Sequence, residues 1–341
     1  APKLSVLFGA HPEWRANLSG GAWMLGTLDS FLIWRWTGGR HHVTDASMAA
    51  RTLLMDVHDL QWSAKLCDWF GVDIAILPEI VPSTGLQIML DNGMCLQASA
   101  ADQSAALWHG IVPGRREVMV NLGTGGFVAT YLTHKGCVSA GYLETLVCMD
   151  AQRQVHMACE GTLNSIAAAL RDHPVESCSP DELASDDIYC VAEPSGLGAP
   201  YFRRDIGLRF SEPVEHLDAR SVALLLQEAI IFRVARIFED LQREAGVGSA
   251  YLSGGLSNLP CLQQGIASLV PAAYHLTQSD AGLIGAAQLA AGAEAGGYRR
   301  ARRLAASGVQ ARLRQKFAKW KSWLDAQLDS AQPGPGRPGV R

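Results

Sequence analysis

Val118-Met119-Val120 runs into Asn121-Leu122-Gly123-Thr124-Gly125-Gly126, and a second apolar run resumes from Phe127 to Leu132. Two short apolar runs around glycines predict a β-hairpin. Gly123, Gly125 and Gly126 leave backbone N–H groups unshielded at the bend. Such a concavity suits phosphate oxygens, and Thr124 adds a hydroxyl. No Gly-Lys-Ser/Thr follows, so this is not a P-loop, and the dinucleotide pattern G-x-G-x-x-G fails as well. A plain glycine hairpin turn is the competing reading.

A related arrangement lies downstream. Ala250-Tyr251-Leu252 predicts a short strand, Ser253-Gly254-Gly255-Leu256-Ser257-Asn258 a tight connection, and Pro260 to Leu269 a helix. Free amides and the positive end of a helix dipole would then face a ligand, with Asn258 adding an amide contact. An ordinary strand-to-helix connection needing close backbone approach is the alternative.

Upstream, Met94 to Gln97 predicts a buried strand, followed by Ala98-Ser99-Ala100-Ala101-Asp102-Gln103 and a helix over Ser104 to His109. A carboxylate at Asp102, past a strand end, could accept a proton from a substrate hydroxyl. The commoner role of such an Asp is a helix N-cap, and one side chain can do both. Gly110 to Arg116 is a polar connection and marks a domain boundary. Asp218 to Ala245 is the longest predicted helix with a clear apolar face. Val222, Leu225, Leu226, Ala229, Ile230, Val234 and Ile237 line one face, with Asp218 as cap and Gly246 as terminator. Leu283 to Ala291 predicts a small-residue helix. Tyr298 to Leu328 is helical in pattern, with a basic face expected to be solvated. From Gln332 the tail is too rich in Pro and Gly to fold alone.

Composition narrows the class. Of 341 residues, 48% are hydrophobic and 18% charged, which supports a sizeable core and roughly two domains. A net charge of −4 provides no basic field for a nucleic-acid backbone. No apolar run reaches the ~18 residues of a membrane span. The eight cysteines include no C-x-x-C pair, so reduced thiols in a cytoplasmic protein are expected. His41-His42 with Asp45 lacks a second ligand pair, and exposed histidines are expected there rather than a metal. No G-x-S-x-G elbow is present.

Together these segments resemble the FGGY family of carbohydrate kinases. The resemblance is carried by Gly26-Thr27-Leu28-Asp29-Ser30-Phe31-Leu32-Ile33-Trp34, by Val43-Thr44-Asp45-Ala46-Ser47 with Arg51-Thr52-Leu53, and by Leu77-Pro78-Glu79. It continues through Ala101-Asp102-Gln103-Ser104-Ala105-Ala106-Leu107, Asn121-Leu122-Gly123-Thr124-Gly125 and Gly198-Ala199-Pro200-Tyr201-Phe202. Gln227-Glu228-Ala229, Ser253-Gly254-Gly255 with Asn258, and Gly285-Ala286-Ala287 complete it, in order, to about Gly292.

The resemblance implies an α/β, actin-like (ribonuclease H-like) two-domain kinase fold with its first domain incomplete. It implies a substrate domain over 1–112, a nucleotide domain over 113–296, and a helical extension and tail over 297–341. Asp102 would be the general base and Gln103 would hold substrate beside it. Gly123, Thr124 and Gly125 would form a phosphate-binding turn, and Gly254, Gly255 and Asn258 part of the adenosine site. ATP with Mg²⁺ on its phosphates would be the cofactor, no side chain being assigned as a metal ligand. A small polyol or sugar, glycerol-like, would be the substrate, with neither nucleic acid nor membrane as partner and a homo-oligomer left open.

The sequence also departs from the family pattern. It has no acidic-x-Gly-Thr turn, Ala101 stands where glycine is common, the helix after Glu160-Gly161 is short and lacks a glycine, and Arg203 to Ser211 is shortened. Two readings follow. The chain is the larger part of a kinase whose N-terminal portion lies outside it, or it is a non-catalytic, nucleotide-binding or interaction remnant. On the first, it is expected to phosphorylate polyols poorly or not at all by itself.

Overall fold

The computed structural model describes residues 1–132 and 140–330. The first half holds helices α1 (Pro2–Ala10), α2 (Pro12–Ser19) and α3 (Leu28–Trp36), strand β1 (Val43–Asp45), and helices α4 (Ala46–Ala50) and α5 (Ala64–Phe70). Strands β2 (Glu79–Val81), β3 (Thr84–Met89) and β4 (Cys95–Ala98) lead into α6 (Asp102–Gly110). Then follow β5 (Glu117–Leu122), β6 (Gly126–Tyr131), β7 (Leu143–Met149), β8 (Val155–Leu163), α7 (Ile166–Leu170) and the long α8 (Ala219–Ala245). The last elements are β9 (Ser249–Ser253), α9 (Pro260–Leu269), β10 (Ala273–Leu276), α10 (Ala281–Ala290), β11 (Ala301–Arg303) and α11 (Gln310–Ser330).

Local chemistry sets several of these boundaries. Asp218 accepts the Ser221 amide at 2.7 Å and starts α8, and Gly246 ends it in a left-handed conformation, φ 65°. Gly71, φ 66°, ends α5 in the same way.

The chain divides into two compact units. The first comprises Ala1–Pro113, Glu144–Ala158 and Asp280–Arg299; the second comprises Gly114–Leu143, Cys159–Ser279 and the chain from Arg300. The first unit is therefore built from three separate stretches. Its final piece carries α10, and the described residues from Arg300 belong to the second unit.

In the first unit β1 pairs in parallel with β2, and β3 pairs antiparallel with β4. The mixed sheet runs β11-β10-β9-β5-β6-β8-β7. β9 is parallel to both β5 and β10, whereas β5–β6 and β10–β11 are antiparallel. Val118, Met119 and Val120 are all fully buried, as a central strand covered on both faces requires. In the second unit α8 is buried along most of its length. Its Phe232 meets Phe317 and Trp320 of α11, each at 5.5 Å between ring centroids.

Three expectations need correction. The strand predicted at Met94–Gln97 is β4, and Cys95 is exposed because β4 pairs only with β3. Tyr298–Leu328 is not one helix: Ala301–Arg303 pairs with β10 before α11 begins. Its basic face is not wholly solvated either. Lys316 is buried, 2.6 Å from Glu228 and 2.8 Å from Asp186, because α11 packs onto α8 with a compensating carboxylate waiting there. The Pro/Gly tail lies outside the described residues. The seven described cysteines are all free thiols, and no described helix is long and apolar enough to cross a membrane.

Candidate functional site

The parallel pairing of β5 with β9 puts Asn121 opposite Ser253, so both glycine turns leave the sheet side by side at its strand ends. This is where open α/β sheets present ligand sites. The two backbones touch. A Cβ on Gly254, φ 88°, would lie 2.3 Å from Asn121 Oδ1 and 2.4 Å from the Leu122 carbonyl oxygen. Only glycine permits that approach. The first turn is closed by the Gly123 amide donating to the Gly125 carbonyl at 2.8 Å. A Cβ on Gly125 would stand 3.0 Å from the Leu163 carbonyl oxygen.

The other two glycines are different. A Cβ on Gly255 would meet nothing within 4 Å, and one on Gly123 only the Gly125 carbonyl at 3.9 Å. The turns therefore press against protein on one side and open on the other, a cradle that side chains would fill. Thr124 is exposed beside it, and its carbonyl accepts the Ala167 amide at 3.2 Å. Asn258 is also exposed and donates its Nδ2 to the Gly255 carbonyl at 3.1 Å. Sequence reading thus finds Gly123, Thr124, Gly125, Gly254, Gly255 and Asn258, and the second unit brings all six into two adjoining turns.

A buried ion pair sits behind them. Arg233 of α8 and Glu193 are each 1% exposed, with Nε 2.6 Å from Oε1. Glu193 Oε2 accepts the amides of Asn164 at 2.8 Å and Gly198 at 3.0 Å. Arg233 Nη2 donates to the carbonyls of Thr162 and Ala199. These bonds pin the segment whose Leu163 carbonyl abuts Gly125. Sequence reading missed them, because all but the Gly198 bond link residues 29 to 71 positions apart.

In the first unit Asp102 and Gln103 are exposed on the first turn of α6. Asp102 is not the N-cap: Ala101 is, and Asp102 takes the first helical position, with Oδ1 accepting the Gln103 amide at 2.7 Å. A carboxylate at a helix N-terminus is favourable there. Beneath this turn lies a buried polar cluster. Asp45 caps α4, accepting the amides of Ser47 and Met48, each at 2.9 Å. It also takes the hydroxyls of Ser47 at 3.0 Å and Ser83 at 2.7 Å. Asp29 accepts from Thr27, Thr44 and the Asp45 amide. Asp45 is therefore fully buried, apart from any role with His41 and His42. No group of three or more His, Cys, Asp or Glu among the described residues could hold a metal ion.

Burial pushes the Asp45 carboxyl up to about 6, against hydrogen bonds from Ser83, Ser47 and Met48 that favour its charge. The folded state thus holds this proton more tightly than the unfolded chain. The contribution is complete below about pH 4 and is lost as pH rises through about 6. Wild type is expected to lose about 2 kcal/mol relative to Asp45→Asn between pH 4 and 7. Urea unfolding of both proteins across that range measures it, and a flat difference would contradict it.

Comparison with known proteins agrees with this arrangement. The N-terminal domain of the FGGY family of carbohydrate kinases matches residues 1–97. Glycerol kinase 2 of Sulfolobus acidocaldarius is 28% identical over 288 residues, 77% of this chain and 56% of that protein. A Pseudomonas fluorescens glycerol kinase is 30% identical over 249 residues, 68% of this chain and 48% of that protein. The chain spans about half the length of the curated relatives it matches. Among solved structures, Plasmodium falciparum glycerol kinase with ADP superposes with a TM-score of 0.79 at 21% identity, covering 95% of this chain and 71% of that one. Rhodospirillum rubrum xylulose kinase gives 0.72 at 16% identity, covering 96% and 71%. The shared fold is thus the actin-like α/β fold of sugar kinases. Residues 1–97 thus match the N-terminal domain of the FGGY family of carbohydrate kinases, and the chain is similar to glycerol kinases over 68–77% of its length.

Proposed function

We propose that the chain carries the machinery of an ATP-dependent kinase that phosphorylates a hydroxyl of a small polyol or sugar, glycerol-like. The observation that supports this most is the contact between Gly254 and Asn121–Leu122, which sets two glycine turns beside each other with their open sides at Gly123 and Gly255. The Gly123 amide is spent on the Gly125 carbonyl, and the remaining amides of such turns suit phosphate oxygens. Gly123, Thr124 and Gly125 hold phosphate, and Gly254, Gly255 and Asn258 hold the adenosine part. When bound, ATP with Mg²⁺ supplies the phosphoryl group and neutralises its charge. Asp102 takes the proton from the attacking hydroxyl, with Gln103 holding the substrate beside it. Phosphoryl transfer asks mainly for positioning and charge neutralisation, and that is what such a frame offers.

Thermal shift and turnover test the reading together. Mg²⁺-ATP is expected to raise the melting temperature of the chain. Gly255→Val, whose Cβ would meet no protein atom within 4 Å, should keep the unliganded melting temperature and lose the shift. Asp102→Asn should keep the shift and lower phosphoryl transfer to glycerol by about 10²–10⁴-fold. No Mg²⁺-ATP shift in the wild type, or an undiminished shift in Gly255→Val, would overturn the reading.

A further inference from the structure

Ala101 has no side chain able to cap α6, yet both of its backbone groups are engaged. Its carbonyl accepts the Ala105 amide at 2.9 Å, the first bond of the helix. Its amide donates to Ser47 Oγ at 2.8 Å. The Ser47 hydroxyl in turn donates to Asp45 Oδ1 at 3.0 Å. Asp45, Ser47 and Ala101 are all buried, so none of these groups can exchange its partner for water.

We propose that Asp45 and Ser47 form a two-step hydrogen-bond relay that positions Asp102, by fixing the amide of the residue before it and with it the first turn of α6. The proposal rests on reading Asp102 as the proton acceptor, but the relay itself is a property of the fold. Polarity runs one way along it. The Ala101 N–H can only donate, so the Ser47 oxygen accepts, and its proton is left to point at the Asp45 carboxylate. Asp45 is held in turn by the Ser83 hydroxyl, whose oxygen accepts the Met149 amide at 3.1 Å. The Ser83 carbonyl accepts the Ser99 amide at 3.0 Å, so the segment 99–101 is tied to this cluster at both ends. Ser99 Oγ also reaches Asp29 Oδ2 at 3.4 Å. On α10, Gly282 brings its backbone so close that a Cβ there would stand 3.1 Å from the Asp102 carbonyl oxygen. The main chain that carries the carboxylate is thereby held from the α4 side by the relay and from the α10 side by packing.

Ser47→Ala separates the relay from the cap. It deletes one hydroxyl and leaves Asp45 accepting the Met48 amide. Two NMR readouts on the full chain need no turnover: residue-resolved amide exchange, and the carboxyl ¹³C resonance of Asp102. We expect Ser47→Ala to speed exchange at Ala101 by about tenfold, the size of one lost buried hydrogen bond. The Met48 amide and the amides of β5 and β9 should keep their protection, and the Asp102 carboxyl line should shift or broaden. Ser83→Ala, which leaves the Ser47 link intact, should move the Ala101 amide less. Unchanged exchange at Ala101, or an unmoved Asp102 line beside a loosened Ala101, would overturn the proposal. So would equal acceleration at Met48, since the effect would then be loss of α4 rather than of the relay. If wild type phosphorylates glycerol, Ser47→Ala should lower kcat with KM little changed. A wild type without turnover leaves the relay to be judged by the two NMR readouts alone.

Discussion

Gly285→Ala is expected to destabilise the first unit by about 3 kcal/mol or more, at the upper end of what overpacking costs. A Cβ at this position would lie 1.8 Å from the Ala105 carbonyl oxygen and 2.5 Å from its carbon. Both are helix backbone atoms, so no rotamer change relieves the clash. The helices α6 and α10 would have to part. That would break the Trp108 Nε1 donation to the Ala293 carbonyl at 3.2 Å and the His109–Gln288 contact at 3.1 Å. It would also move the turn that bears Asp102. Urea unfolding should show a lower midpoint. Gly9→Ala is the control: it lies inside α1, meets nothing within 4 Å, and should gain up to about 1 kcal/mol from helix propensity. An unchanged midpoint for Gly285→Ala would mean that the α6–α10 seam is looser than described.

Arg233→Met should cost the second unit about 3–5 kcal/mol, the usual effect of leaving one buried charge without its partner. Glu193 would keep the Asn164 and Gly198 amides but lose its cation at 2.6 Å. The carbonyls of Thr162 and Ala199 would lose a donor, and the Tyr201 ring the guanidinium 4.9 Å from its centroid. Adding Glu193→Gln should recover a large part of the loss, because the unpaired charge goes too. A double-mutant cycle by chemical unfolding measures this, and strict additivity would contradict the pairing. The Mg²⁺-ATP thermal shift should weaken in Arg233→Met, since the pair backs the segment beside Gly125.

What the sequence discloses and what it hides divide along physical lines. The hairpin at Asn121–Gly126, the Asp218 cap and the Gly246 terminator depend on residues a few positions apart, and they are legible as patterns. The adjacency of the two glycine turns is legible only in part. Each turn announces itself, but nothing local says that β5 and β9 are neighbours. Asp45 is harder still. Next to His41 and His42 it reads only as a weak metal suggestion, whereas its burial depends on Ser83, 38 residues away, and on Ser47, which the distant Ala101 amide engages. Lys316 hides in the same way, since its burial depends on Glu228 across the α8–α11 interface. The Asp-x-Ser spacing of Asp45 and Ser47 is the one local hint of the buried cluster.

The parallel neighbours β5 and β9 also carry a consequence for biosynthesis. The β5–β6 hairpin leaves the ribosome more than a hundred residues before Ser253, the partner of Asn121. At ordinary elongation rates the wait is roughly ten seconds. During that interval one flank of a strand with an apolar centre, Val118-Met119-Val120, lacks its eventual neighbour. Nascent chains arrested before residue 249 should therefore depend on chaperones, and those released after β9 emerges should not.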